Sequence, residues 1–140
     1  MLGDNVIYLA RQIDSWDLIH MDEKSQLDTL KKNEIIIRSF EYAMHDLCSI
    51  MYCFMDSNRK SNLYGYKMKF DAIEHIVSLL ASCLTDENNI AFGMCGKSFR
   101  KIADDLEEMV KILSFEIDNN MTVIDCFEKT YKRMPKAMMV

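Results

Sequence analysis

The chain has 140 residues, a length that suits one domain with a single core. Apolar residues make up 49% and charged residues 28%, which excludes an intrinsically disordered chain. The net charge of −5 argues against general binding to a nucleic-acid backbone.

In chain order the apolar residues recur at helical spacing. Asp4 can cap a first helix that runs to about Trp16, with Val6, Leu9, Ala10 and Ile13 turned inward. Residues 17–21 read as a turn. Asp22 then starts a polar helix, DEKSQLDTLKKN, whose Leu27 and Leu30 fall in line with the seam of the next segment. This helix either runs on through Asn33 or kinks there. Residues 33–55, NEIIIRSFEYAMHDLCSIMYCFM, contain neither Gly nor Pro. Within them Ile37, Phe40, Met44, Leu47, Met51 and Phe54 form one seam, widened by Ile36, Ala43, Ile50, Cys48 and Met55. Such a helix would span roughly 35 Å, and its apolar face needs several neighbours to cover it.

Residues 56–62, DSNRKSN, read as a loop. A further helix is expected over 64–84, with Tyr66, Phe70, Ile73, Val77, Leu80 and Leu84 as its stripe, broadened by Ile76, Leu79 and Cys83. Residues 85–96 read as a connection with a short turn near Ile90. Lys97 or Ser98 opens a helix to Ile117 whose stripe is Phe99, Ile102, Leu106, Met109, Leu113 and Ile117. Residues 118–120 break it. A last helix is expected over 122–134, stopped by Pro135. No strictly alternating strand pattern, internal repeat or low-complexity tract occurs. One proline and four glycines suit this reading: an all-α, single-domain bundle of five or six helices over residues 1–140, arranged around the long central helix.

Five cysteines, Cys48, Cys53, Cys83, Cys95 and Cys126, form no CxxC pair, and no signal peptide precedes them. Reduced thiols and a cytoplasmic location are the expectation. The longest run without a charged side chain, residues 75–85, is too short to span a bilayer. Twelve methionines read first as core filling, with an adaptable binding surface as the functional alternative.

Four constellations could carry chemistry. Residues 91–98, Ala-Phe-Gly-Met-Cys-Gly-Lys-Ser, satisfy a relaxed phosphate-loop pattern ending in Lys97 and Ser98. A working loop of that kind follows a strand of a parallel sheet, and Asp86-Glu-Asn-Asn stands there instead. The preferred reading is a Gly-containing loop with Ser98 near a helix N-cap. Arg38 and His45, with six residues between them, resemble the Arg-x(4–6)-His signature of HEPN-type helical ribonucleases. That resemblance implies catalysis on RNA by Arg38 and His45 at a dimer interface. The competing reading pairs Arg38 with Glu34 or Glu41, and His45 with Glu41, as ordinary helix neighbours.

Asp71-x-x-Glu74 and Asp104-Asp105-x-Glu107-Glu108 loosely resemble the paired acidic motifs of all-α nucleotide pyrophosphatases, although the letters depart from the Glu-x-x-Glu and Glu-x-x-Asp order. Solvated helix surface is the preferred reading, with Asp71 and His75 as a local salt link. Cys48 stands three residues from His45 but borders the apolar seam, where a thiol is usually inert. The basic residues Lys129, Lys132, Arg133 and Lys136 are explained by favourable interaction with a helix C-terminus.

By subtraction the sequence favours a non-catalytic protein that binds a macromolecular partner, most simply a protein, and that can self-associate. Its methionine content fits mobile-element or viral regulators and inhibitors. Helix number and length are compatible with a Bcl-2-like groove, but no Asn-Trp-Gly-Arg-type motif occurs. No cofactor or metal is implied, and neither a membrane nor nucleic acid is an expected partner. The alternative is a small all-α hydrolase, such as a HEPN-like ribonuclease using Arg38 and His45.

Overall fold

A computed structural model describes residues 3–85 and 99–119. The loop expected at 85–96, the Lys97 and Ser98 positions and the helix expected at 122–134 lie outside the described residues, apart from Thr85. Among the described residues there are five α-helices and no strand: α1 Asp4–Asp14, α2 Glu23–Lys32, α3 Glu34–Ser57, α4 Lys67–Thr85 and α5 Phe99–Asn119. The fold is an all-α bundle.

The six seam residues of α3 are all buried, from Ile37 to Phe54. Their 3.6-residue recurrence sets one wide apolar face toward the core, and α1, α2 and α4 pack against α3. Val6, Ala10 and Ile13 of α1 are buried, whereas Leu9 is only partly so. That face lies chiefly on α5, which buries Ile102, Leu106, Met109 and Leu113. Phe70, Ile73, Val77 and Leu80 bury the inner face of α4. Met44, Met51, Met55 and Met109 fill the core, whereas Met68 is exposed.

Local chemistry corrects several boundaries. The N-cap of α1 is Gly3 rather than Asp4. Gly3 has φ +82°, and a Cβ built there would stand 2.6 Å from Val110 of α5. Glycine is therefore required twice over, by the left-handed backbone and by the close approach of another helix. The turn after α1 contains a short 3₁₀ helix, Leu18–His20. Asp17 before it has φ 57°, a conformation that Asp tolerates better than most residues, and its carboxylate meets His20 Nδ1 at 2.6 Å.

Asp22 caps α2 as expected: its side chain accepts from the Ser25 N–H at 2.7 Å. The chain kinks at Asn33, with φ −114° and ψ 32°, and does not run through. The Asn33 side chain donates to the Thr29 carbonyl at 2.8 Å, holding the end of α2 while α3 starts in a new direction.

The loop expected at 56–62 is shorter than expected, because α3 continues to Ser57. A 3₁₀ turn, Asn62–Tyr66, replaces the first part of the helix expected from Tyr64, and α4 begins at Lys67. That turn is tied to α5 by Glu116, which is 6% exposed. Glu116 Oε2 accepts from the Ser61 hydroxyl at 2.5 Å, and Oε1 accepts from the Asn62 N–H at 2.7 Å. Tyr66 adds a second tie by donating to Glu108 Oε1 at 2.6 Å.

Candidate functional site

The helices α3 and α4 run antiparallel, joined by residues 58–66, and a cleft of about 680 Å³ opens between their outer faces. The register follows from the side chains that meet. The Tyr52 hydroxyl donates to Asp71, and its ring stands edge-on to Phe70 with centroids 6.2 Å apart. One turn earlier on α3, Cys48 faces Glu74, and earlier still Glu41 and Met44 stand opposite Val77 and Ser78. Met44 and Val77 are buried and form an apolar floor. Tyr42, 68% exposed, forms part of the rim with His45 and His75.

The cleft gathers groups that the sequence offered only as separate pairs on separate helices. Their partners differ from expectation in two places. Arg38 pairs as expected, with Nη1 3.3 Å from Glu41 and Nε 3.9 Å from Glu34, but Glu41 does not pair with His45. Asp71 does not pair with His75, because Tyr52 from the facing helix takes its carboxylate. In both cases an i, i+4 spacing permits contact without compelling it. Arg38, tied to these carboxylates, does not line the cleft, whereas His45 does.

The electrostatics of the cleft oppose nucleophilic chemistry. Burial pushes the Cys48 thiol up to about 12, helped by its hydrogen bond to Glu74 and by the charges of Glu74 and Asp71. A thiol so placed is protonated at neutral pH and a poor nucleophile. Burial likewise raises Tyr52, reinforced by its hydrogen bond to Asp71 and by the negative charge nearby. Among the described residues, Cys48, Cys53 and Cys83 are not joined by a disulfide.

The two acidic motifs do not converge on one site. Asp71 and Glu74 face the cleft. On α5, Asp104 and Glu107 bind Arg11 of α1 at 3.3 and 2.5 Å, Asp105 lies 3.9 Å from Lys69, and Glu108 accepts from Tyr66. Among the described residues no group of His, Cys, Asp and Glu is placed to hold a metal ion, and no helix is long and apolar enough to cross a membrane. The phosphate-loop-like string at residues 91–98 lies outside the described residues.

The role of Glu116 was not read from the sequence, although a signal was present. It interrupts the stripe between Leu113 and Ile117, where an unpartnered carboxylate would be costly. A second, smaller cleft of about 470 Å³ lies between α1 and α5, lined in part by Ile7, Tyr8, Val110 and Ser114. Its cationic groups are engaged with Glu107.

The chain stands apart in comparison. No family model, curated protein or solved structure matches it.

Proposed function

We propose that this protein acts without catalysis, by binding another protein, and that the cleft between α3 and α4 is the surface it uses. One observation carries the reading. The cleft has an apolar floor, an exposed aromatic rim at Tyr42 and polar groups on both walls, the mixture that protein interfaces use. The same groups are poorly arranged for reaction, since Cys48 is held protonated and Asp71 is occupied by Tyr52. A regulator or inhibitor of a larger partner is the role that fits this surface, and a cytoplasmic location fits the lack of a disulfide among the described cysteines.

The test uses affinity capture from the native host with wild-type chain and with Tyr42→Ala, followed by mass spectrometry and by binding of the purified candidate. A partner whose affinity falls about tenfold or more with Tyr42→Ala, the loss of an interfacial anchor, supports the reading. Undiminished binding by that variant moves the interface elsewhere.

A second reading keeps the ribonuclease resemblance. Arg38 and His45 lie one above the other on α3, and His45 is exposed. A symmetric contact through that face would bring both near their counterparts. In that case wild-type chain cleaves RNA without added metal, and both Arg38→Ala and His45→Ala abolish cleavage, as loss of positioned acid–base groups does. The binding reading expects no RNA cleavage, and for His45→Ala a stability change within a few tenths of a kcal/mol, as is usual at exposed sites.

A further inference from the structure

We infer that the cleft between α3 and α4 receives a Lys- or Arg-bearing helical segment of a partner protein. The inference rests on the docking role proposed above and adds the chemistry of the occupant. Its first support is charge complementarity. Glu41, Asp71 and Glu74 line the cleft, and among the described residues no Lys or Arg lines it with them. Asp71 and Glu74 meet uncharged donors, the Tyr52 hydroxyl and the Cys48 thiol. Those donors satisfy hydrogen bonds but leave the carboxylate charge in place. Two nearby cations are already engaged: Arg38 is shared between Glu41 and Glu34, and Lys67 stands over the Tyr52 ring, 5.9 Å from its centroid.

Shape and apolar content narrow the occupant further. The α3 wall from Glu41 to Cys48 is about two turns long, roughly 10 Å at the helical rise. A partner helix laid along it presents two or three turns, the usual form of helix-in-groove recognition. The buried Met44 and Val77 beneath the carboxylates suit the aliphatic stems of Lys and Arg, whose charged ends then reach the acidic walls. The exposed Tyr42 ring adds a face on which a cation can rest.

The experiment titrates the full chain with three amphipathic peptides of about four helical turns, long enough to overlap the cleft. One alternates Lys with Leu at helical spacing, one has Glu for each Lys, and one has Gln. Amide chemical shifts locate binding, and fluorescence anisotropy measures affinity. The expected result is that the Lys peptide shifts cleft resonances, binds more tightly than the Gln peptide and weakens as salt rises. The Glu peptide then binds least.

The triple variant Glu41→Gln, Asp71→Asn, Glu74→Gln should lose about tenfold in affinity for the Lys peptide, the sum of three partly exposed ion pairs. The control Glu23→Gln, Asp28→Asn on α2 removes as much general negative charge per site and should leave affinity unchanged; its failure to do so overturns the inference. Equal affinity for the Lys and Glu peptides, or a triple variant that remains folded by circular dichroism and binds as wild type, also overturns the inference. In either case cleft shifts with any peptide leave the docking role standing. No cleft shift with any of the three peptides overturns both.

Discussion

Glu116 shows how much one side chain can organise. It sits in the apolar stripe of α5, yet both its oxygens are met by the start of the 3₁₀ turn before α4. A carboxylate accepting from a backbone N–H and a hydroxyl at a helical N-terminus is a strong local interaction. Glu116→Ala should destabilise the protein by about 1–3 kcal/mol, because it leaves the buried Ser61 hydroxyl without its acceptor. A urea midpoint unchanged from wild type would show that Ser61 finds another partner.

Cys48 supplies a second test at this scale. With its thiol held near 12, it should alkylate far more slowly than an unfolded cysteine at pH 8. The sign for stability also follows. An acid whose value is raised on folding contributes below its unfolded value, and that contribution is lost as pH climbs toward 12. Mass-resolved iodoacetamide labelling checks the first expectation; rapid native labelling of Cys48 would mean that its burial is transient.

Among the elements, α3 was the most legible in the sequence. Its seam from Ile37 to Phe54 repeats at helical spacing, and all six residues are buried. Leu47, 2% exposed, should cost about 2–5 kcal/mol when changed to Ala, as buried leucine truncations do, measured by chemical unfolding. The boundaries were harder to read, because they depend on contacts between distant segments. Leu27 and Leu30 continue the period of α3 in sequence, so periodicity alone could not show the kink that Asn33 makes.

The start of α1 depends on Val110, more than a hundred positions away, and no local signal announces it. Gly3→Ala should destabilise by about 1–3 kcal/mol, combining left-handed strain with a clash against α5. The cleft was legible only as its halves: Glu41 with His45, and Asp71 with His75. That α3 and α4 turn these groups toward each other is a fact of packing. It gave Asp71 a partner on the facing helix, Tyr52, whereas Glu41 keeps Arg38 on its own helix.

Across the molecule, charge reinforces the packing of α1 on α5. Arg11 lowers Glu107 from the ordinary carboxylate range, with Lys111 adding to the effect, and the Ser25 hydrogen bonds lower Asp22 at the start of α2. Groups depressed on folding stabilise the native state above their unfolded values, and that stability is lost as pH falls through the folded ones. Thermal midpoints should therefore decline as pH falls below the ordinary carboxylate range. Arg11→Met should flatten part of that decline, because it lets Glu107 return toward its ordinary range. An identical pH profile in wild type and variant would show that the Arg11 contacts are lost to solvent.

The closure of α1 on α5 has a consequence in time. Arg11 and Glu107 are 96 positions apart, whereas Tyr52 and Asp71, which join α3 to α4, are 19 apart. Bringing the more distant pair together costs about 1.4 kcal/mol more in chain entropy. The α3–α4 hairpin should therefore assemble early, and α1 should dock last and leave first. In stopped-flow measurements, Val6→Ala should mainly speed unfolding, whereas Leu47→Ala should also slow folding. Native-state hydrogen exchange should find α1 opening at lower free energy than α3. The helix that covers one side of the core would then be its latch, and the order of events would run against the order of the sequence.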